Sequence, residues 1–186
     1  MKEKTLFIAI STQKGGAGKT ALTVLLSSYL HYSQGYNVAI VDCDYPQYSI
    51  NGMRLRDKQS VTEDPYYKSL FYRQCKNLNK KAYPIEVSRT TEAIETAERI
   101  IQESEVPLDF IFFDLPGTMN AKGVLSTLAQ MDHIITPITA DRMVLESSLE
   151  YAGLINEQII TTGKGNIKSL HLLWNMVDGR ESNHLY

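Results

Sequence analysis

The 186-residue chain has no long apolar run. Nothing in it approaches the roughly 20 apolar residues that a helix needs to cross a bilayer, which excludes a helical membrane protein. Cysteine is scarce. Cys43 and Cys75 stand too far apart for a local metal motif and are too few for a disulfide framework, which points to a reducing cytoplasm. Neither sign of charge is in excess: the formal net charge is -2 and the pI is near 6.1. No global field therefore draws nucleic acid or an anionic membrane, and any such binding must come from a local patch or from assembly. Internal repeats, low-complexity segments and linkers are missing too. The opening "MKEKTLFIAIST" has a charged start, but its apolar run is too short for a signal peptide.

What remains is the profile of one soluble domain over residues 1–186, 43% hydrophobic and 22% charged, long enough for one real core. Apolar runs at 6–11, 37–44, 109–117, 133–138 and 169–177 predict five strands, and "YPIEVS" at 83–88 adds another. The spacing of Leu22, Leu25, Leu26, Tyr29 and Leu30 predicts a helix over 19–34 that Gly35 closes. Further helical stretches fall at 91–103, 121–130 and 142–161. Apolar strands alternating with helices predict an α/β fold, a mostly parallel twisted sheet with helices on both faces. Such sheets bind ligands beyond the carboxyl ends of their strands. Three features fall there: the loop at 13–20, the pair Asp42 and Asp44, and Asp114.

The loop reads "STQKGGAGKTAL" over 11–22. A phosphate-binding loop follows G-x-x-x-x-G-K-[ST], yet Gln13 stands where the first glycine belongs, and Lys14 follows it. The setting of strand, glycine loop and helix still suits phosphate, because glycines turn N–H groups toward its oxygens and the helix offers its positive end. Lys19 then reaches the β/γ-phosphates and the Thr20 hydroxyl meets Mg²⁺. Asp114 ends "FIFFD", as a carboxylate held near a metal at a buried strand end requires. Asp42 and Asp44, two residues apart in a strand, point to one side. Either one supports Mg²⁺ while the other orients the attacking water, or both are solvated turn residues.

Together these segments resemble a known family. "QKGGAGKT" is similar to the deviant Walker A loop, K-G-G-x-G-K-[ST], of the ParA/MinD branch of P-loop ATPases. "VDCDYPQYS" resembles the D-x-D-P-Q segment of that branch, with Tyr45 before Pro46. "FFDLPG" resembles its D-x-P-P, with Gly117 for the second proline. The wording "VDCDYPQYSINGMR" is similar to the TraA-like ParA proteins of Bacteroides-type conjugative transposons.

The resemblance implies a slow ATPase that forms an ATP-sandwich dimer with ATP and Mg²⁺ as cofactors. It implies that Gly15, Gly16, Ala17, Gly18, Lys19, Thr20 and Ala21 bind the nucleotide. Lys14 then contacts the nucleotide of the partner subunit, Asp44 positions the hydrolytic water, and Thr20, Asp42 and Asp114 form the Mg²⁺ environment. Asn175 matches an adenine-contacting strand-end asparagine, or else serves a turn; Trp174 reads as core. The implied partners are a second copy, nonspecific DNA, and a ParB-like or conjugation protein, with no membrane.

Three other readings share the fold: a MinD-like membrane-cycling regulator, a dethiobiotin-synthetase-like enzyme and a non-hydrolysing adaptor. Against the first, "WNMVDGRESNHLY" offers no amphipathic anchor. The family usually continues beyond the Asn175 strand, so either the subfamily is short or the chain is cut short. One further segment, 66–81, is basic and aromatic without an acid. Arg73, Lys76 and Lys80 share one face at helical spacing. The segment is either a solvated helix with aromatics packed underneath or a surface for nucleic acid or a partner.

Overall fold

The computed structural model describes residues 4–13, 15–119 and 121–178. Six strands form one parallel sheet: β1 (Leu6–Ile10), β2 (Val38–Asp42), β3 (Ile85–Val87), β4 (Phe110–Asp114), β5 (His133–Ile138) and β6 (Ser169–Trp174). Their order is β3-β2-β4-β1-β5-β6. The crossovers carry α1 (Lys19–Ser28), α2 (Ser49–Glu63), α3 (Pro65–Leu78), α4 (Ala93–Glu103), α5 (Val124–Leu128) and α6 (Arg142–Ile155).

Alternation along the strands divides the core in two. Ala9, Val41, Ile111, Phe113 and Ile134 pack with α4, α5 and α6. Ile8, Ile10, Val38, Ile40 and Phe112 pack with α1 and α2. Asp42 follows the parity of Val38 and Ile40, and Asp114 that of Phe112. Both carboxylates therefore leave the sheet on the side of α1, the helix that the glycine loop opens.

The structure departs from the sequence-based expectations where periodicity is weak. α2 is absent from them. Its 15 residues bury only Ile50 and include Gly52, so no apolar stripe marks it. Over 121–130 the regular helix is only α5, while the helices at 19–34 and 142–161 end in π-helical turns, Tyr29–Ser33 and Asn156–Ile160. Gly35 has φ +82°, as a helix-closing glycine does. β2 stops at Asp42, so the expected alternation of Asp42 and Asp44 along a strand does not apply.

The basic segment is corrected as well. α3 ends at Leu78, with Asn79 left-handed, so Lys80 is off the helix and off the face of Arg73 and Lys76. Its ammonium donates to the carbonyls of Gly35 and Tyr36 at 2.6 Å and to Asn37 Oδ1 at 3.0 Å. Lys81 pairs with Glu105. The aromatics are not all packed underneath either: Tyr66 and Tyr72 are 65% and 63% exposed. Trp174, expected in the core, is 38% exposed.

Candidate functional site

The glycine loop is held from both ends. At its start the Ser11 hydroxyl is hydrogen-bonded to the Tyr151 hydroxyl, and Thr12 Oγ1 lies 3.0 Å from Ser148 Oγ, all four residues being buried. These contacts tie the end of β1 to α6. At its far end Gly18 caps α1 with φ 87°, a conformation costly for any residue with a Cβ. No side chain caps α1, and its first turn holds no acid. Its leading N–H groups are thus not taken up by a capping side chain among the described residues.

Asn175 comes to this loop from across the sheet. It lies just past β6, and its amide donates to the Ala17 carbonyl at 2.9 Å. A Cβ on Gly18 would sit 2.5 Å from that amide nitrogen. Lys14, the residue that the resemblance makes distinctive, lies outside the described residues.

The carboxylates converge as the strand order dictates. Asp42 and Asp114 are register partners on β2 and β4, and Ile10 of β1 pairs with Asp114 from the other side. Asp42 is fully buried; its Oδ2 accepts from the Asn51 N–H at 3.0 Å and its Oδ1 from the Asp44 N–H at 3.3 Å. Asp114 accepts from the Thr20 hydroxyl at 3.0 Å through Oδ2, while Oδ1 is buried without a partner among the described residues. Burial pushes the Asp114 carboxyl up to about 7, with Asp42 and Asp44 adding to the rise and Thr20 and Lys19 opposing it. Asp44 is raised by burial and by Asp42 against the pull of Lys19.

An orphaned carboxylate oxygen beside a threonine hydroxyl suits a hard cation. Among the described residues no group of three or more His, Cys, Asp or Glu could hold a metal alone. That matches Mg²⁺, which takes one or two carboxylates together with substrate phosphates and water. The residues present therefore fit a Mg²⁺ that arrives with a phosphate ligand.

Gly117 supplies room for the lysine. A Cβ there would meet Lys19 Nζ at 3.2 Å. The expected site residues thus come from four segments: Ala17 to Thr20 after β1, Asp42 at the end of β2 with Asp44 just past it, Asp114 at the end of β4, and Asn175 after β6; Gly117 joins them.

A family model for the ATPase MipZ matches residues 6–146, well over half of the chain. The chain belongs to that ATPase family. Over 195 aligned residues it is 26% identical to the chromosome-partitioning ATPase Soj of Thermus thermophilus, covering 97% of this chain and 73% of Soj. Its fold matches a plasmid partition protein of Borrelia burgdorferi bound to AMPPNP, with a TM-score of 0.63 at 18% identity, covering 96% of this chain and 79% of that one. It also matches pNOB8 ParA bound to nonspecific DNA, with a TM-score of 0.58 at 15% identity, covering 94% and 69%. The family is thus of ParA/MinD type, with the six-stranded α/β fold of the P-loop ATPases.

Several family-site neighbours escape sequence reasoning. The Asn51 N–H that holds Asp42 comes from the unrecognised α2, and a backbone donor leaves no trace in residue type. Tyr151 and Ser148 read as ordinary helix residues. Gly117 carried the one usable signal, a glycine directly after the proline that follows a strand-end aspartate.

Proposed function

We propose that this chain is a Mg²⁺-ATP-dependent ATPase of ParA type, one domain over residues 1–186, that forms an ATP-sandwich dimer. It serves as a nucleotide switch in partition or conjugative transfer of mobile DNA, in the cytoplasm, within the TraA-like subfamily. The observation that carries the reading is the row of strand ends: Asp114 bonded to Thr20 with one oxygen free, Asp42 beside it in register, and Lys19 facing Gly117.

In this reading Gly15 to Ala21 wrap the phosphates with N–H groups, and Lys19 neutralises the β/γ-oxygens. Mg²⁺, when bound, would offset phosphate charge. Thr20, Asp42 and Asp114 hold its environment, and Asp44 orients the water. Asn175, whose amide donates to the Ala17 carbonyl, serves as the adenine contact. Lys14 reaches across the dimer to a developing phosphoryl charge, where a second cation in a dry interface is strongly stabilising. Nonspecific DNA, which pNOB8 ParA binds, and a ParB-like or conjugation protein are the partners that the switch controls.

The test is the molecular mass in solution with and without Mg²⁺-ATP, repeated with nonspecific DNA. A dimer that forms only with Mg²⁺-ATP is expected. A monomer under all conditions, with ATP turnover intact, would refute the dimer switch.

A further inference from the structure

Beside the carboxylates, toward α4 and α5, lies a cavity of about 550 Å³. That volume is in the range of small-molecule sites, about 300–1,000 Å³. Among the described residues its walls carry two cations, Arg89 and Lys122, together with Thr90, Thr91 and Thr118, and no Asp or Glu. Neither Arg89 nor Lys122 forms an ion pair with a described carboxylate, whereas Lys81, Arg99, Arg142 and Lys168 each do. Arg89 and Lys122 both line this space and both are exposed, and two like charges at one opening favour an anion there. Cys43 also lines the cavity; burial pushes its thiol up to about 12, so it is neutral there.

The cavity shares a wall with the phosphate site. Pro116 and Thr118 line it, while Gly117, between them, faces Lys19 Nζ on the other side. One loop, a few residues long, therefore separates Lys19 from Arg89 and Lys122. An anion seated there touches the segment that follows Asp114.

We propose that this cavity binds a small oxyanion, a phosphate or a carboxylate, between Arg89 and Lys122 with threonine hydroxyls as further donors. The anion has two conceivable sources: a metabolite from solution, or the orthophosphate that hydrolysis releases, the latter resting on the function proposed above. The two cations set the affinity, since hydrogen bonds to charged groups are the strong ones.

The test titrates orthophosphate, and separately succinate, into the full chain saturated with Mg²⁺-ADP, followed by calorimetry. Saturable binding of at least one anion is expected. It should weaken about tenfold or more in the Arg89→Ala/Lys122→Ala variant and persist in nucleotide-free Lys19→Ala. If the double alanine variant does not fold, Arg89→Gln/Lys122→Gln takes its place, with ADP affinity as the check on folding.

No saturable binding, equal binding in wild type and double variant, or binding that vanishes in Lys19→Ala would each overturn the site. Single-turnover phosphate release then separates the sources. Release altered in the double variant at an unchanged cleavage rate identifies released orthophosphate, and unaltered release identifies a solution anion. A wild type without ATP turnover would refute the ATPase reading alone, since the titrations still decide the cavity.

Discussion

The Asn175 side chain donates to the Ala17 carbonyl at 2.9 Å, joining the end of the last strand to the phosphate loop 158 residues earlier. The same amide nitrogen would lie 2.5 Å from a Cβ on Gly18, whose φ is +87°. Gly18→Ala is therefore penalised twice, by a left-handed backbone worth about 1–2 kcal/mol and by collision with Asn175. The collision is removable. Thermal or denaturant unfolding of Gly18→Ala, Asn175→Ala and the double variant should show the double variant more stable than the sum of the two losses. Strict additivity would mean that the two residues do not meet.

The roles proposed for Lys14 and Asp44 are tested by separate substitutions. Lys14→Ala should leave a folded chain with impaired ATP-dependent dimerisation and turnover. Asp44→Ala should retain ATP and slow its hydrolysis. Nucleotide binding and phosphate production, measured side by side, check both. Wild-type turnover in Lys14→Ala would sink the trans-acting lysine, and lost binding with normal turnover per bound ATP would sink the role of Asp44.

Asp114 makes the nucleotide-free protein sensitive to pH. Burial, aided by Asp42 and Asp44 and opposed by Thr20 and Lys19, lifts its carboxyl from 3.8 to about 7. Between those values the folded chain keeps a proton that the unfolded chain has lost, so stability falls as pH rises through the window. Asp114→Asn removes this loss. Without nucleotide or Mg²⁺, its Tm should exceed that of wild type at pH 8 and the gap should narrow at pH 5. At about 2–4 °C per kcal/mol for a chain of this size, calorimetry resolves the difference. An equal gap at both pH values would show that Asp114 does not titrate there.

Asp132 behaves in the opposite way. Burial would raise its carboxyl, but the Phe7 N–H and Lys168 outweigh burial and leave it lowered. Its two oxygens accept from Phe7 N at 2.9 Å and pair with Lys168 Nζ at 2.9 Å, fastening β1 to the entry of β6. Asp132→Ala should cost about 1–3 kcal/mol near neutral pH, the cost of stranding a partly buried donor. The wild-type advantage should disappear as pH falls through the lowered carboxyl, because stability from a depressed acid is lost on protonation. Denaturant melts across acidic pH test this; an advantage constant down to the acid limit would exclude it.

The fold was legible because it depends on residue type. Apolar runs ending in Asp42 and Asp114, with G-K-T opening a helix, announce a parallel sheet that brings the glycine loop and both carboxylates to one end. What lay hidden depends on backbone and on distance. α2 lacks an apolar stripe because only Ile50 is buried. The end of β2 at Asp42 makes Asp44 a turn residue whose N–H bonds the side chain of Asp42, and no residue pattern announces that turn. Lys80 reads as one more surface cation, yet its three acceptors lie at 35–37, more than 40 residues earlier.

The α2–α3 hairpin is held by the Asn51 N–H on Asp42, by Arg54 on the Tyr83 carbonyl at 2.8 Å and by Lys80 on the 35–37 turn, and Tyr66 just past the end of α2 is exposed. α2 runs 15 residues, about 22 Å at 1.5 Å per residue. One end of that length rests on the Asp42 carboxylate. A tilt of about 5° at the Asp42 end swings the tip by about 2 Å over that length, and the tip carries exposed Tyr66. A change at the Asp42 end of α2 is thus geometrically amplified at its far end wherever the helix moves as one rigid rod.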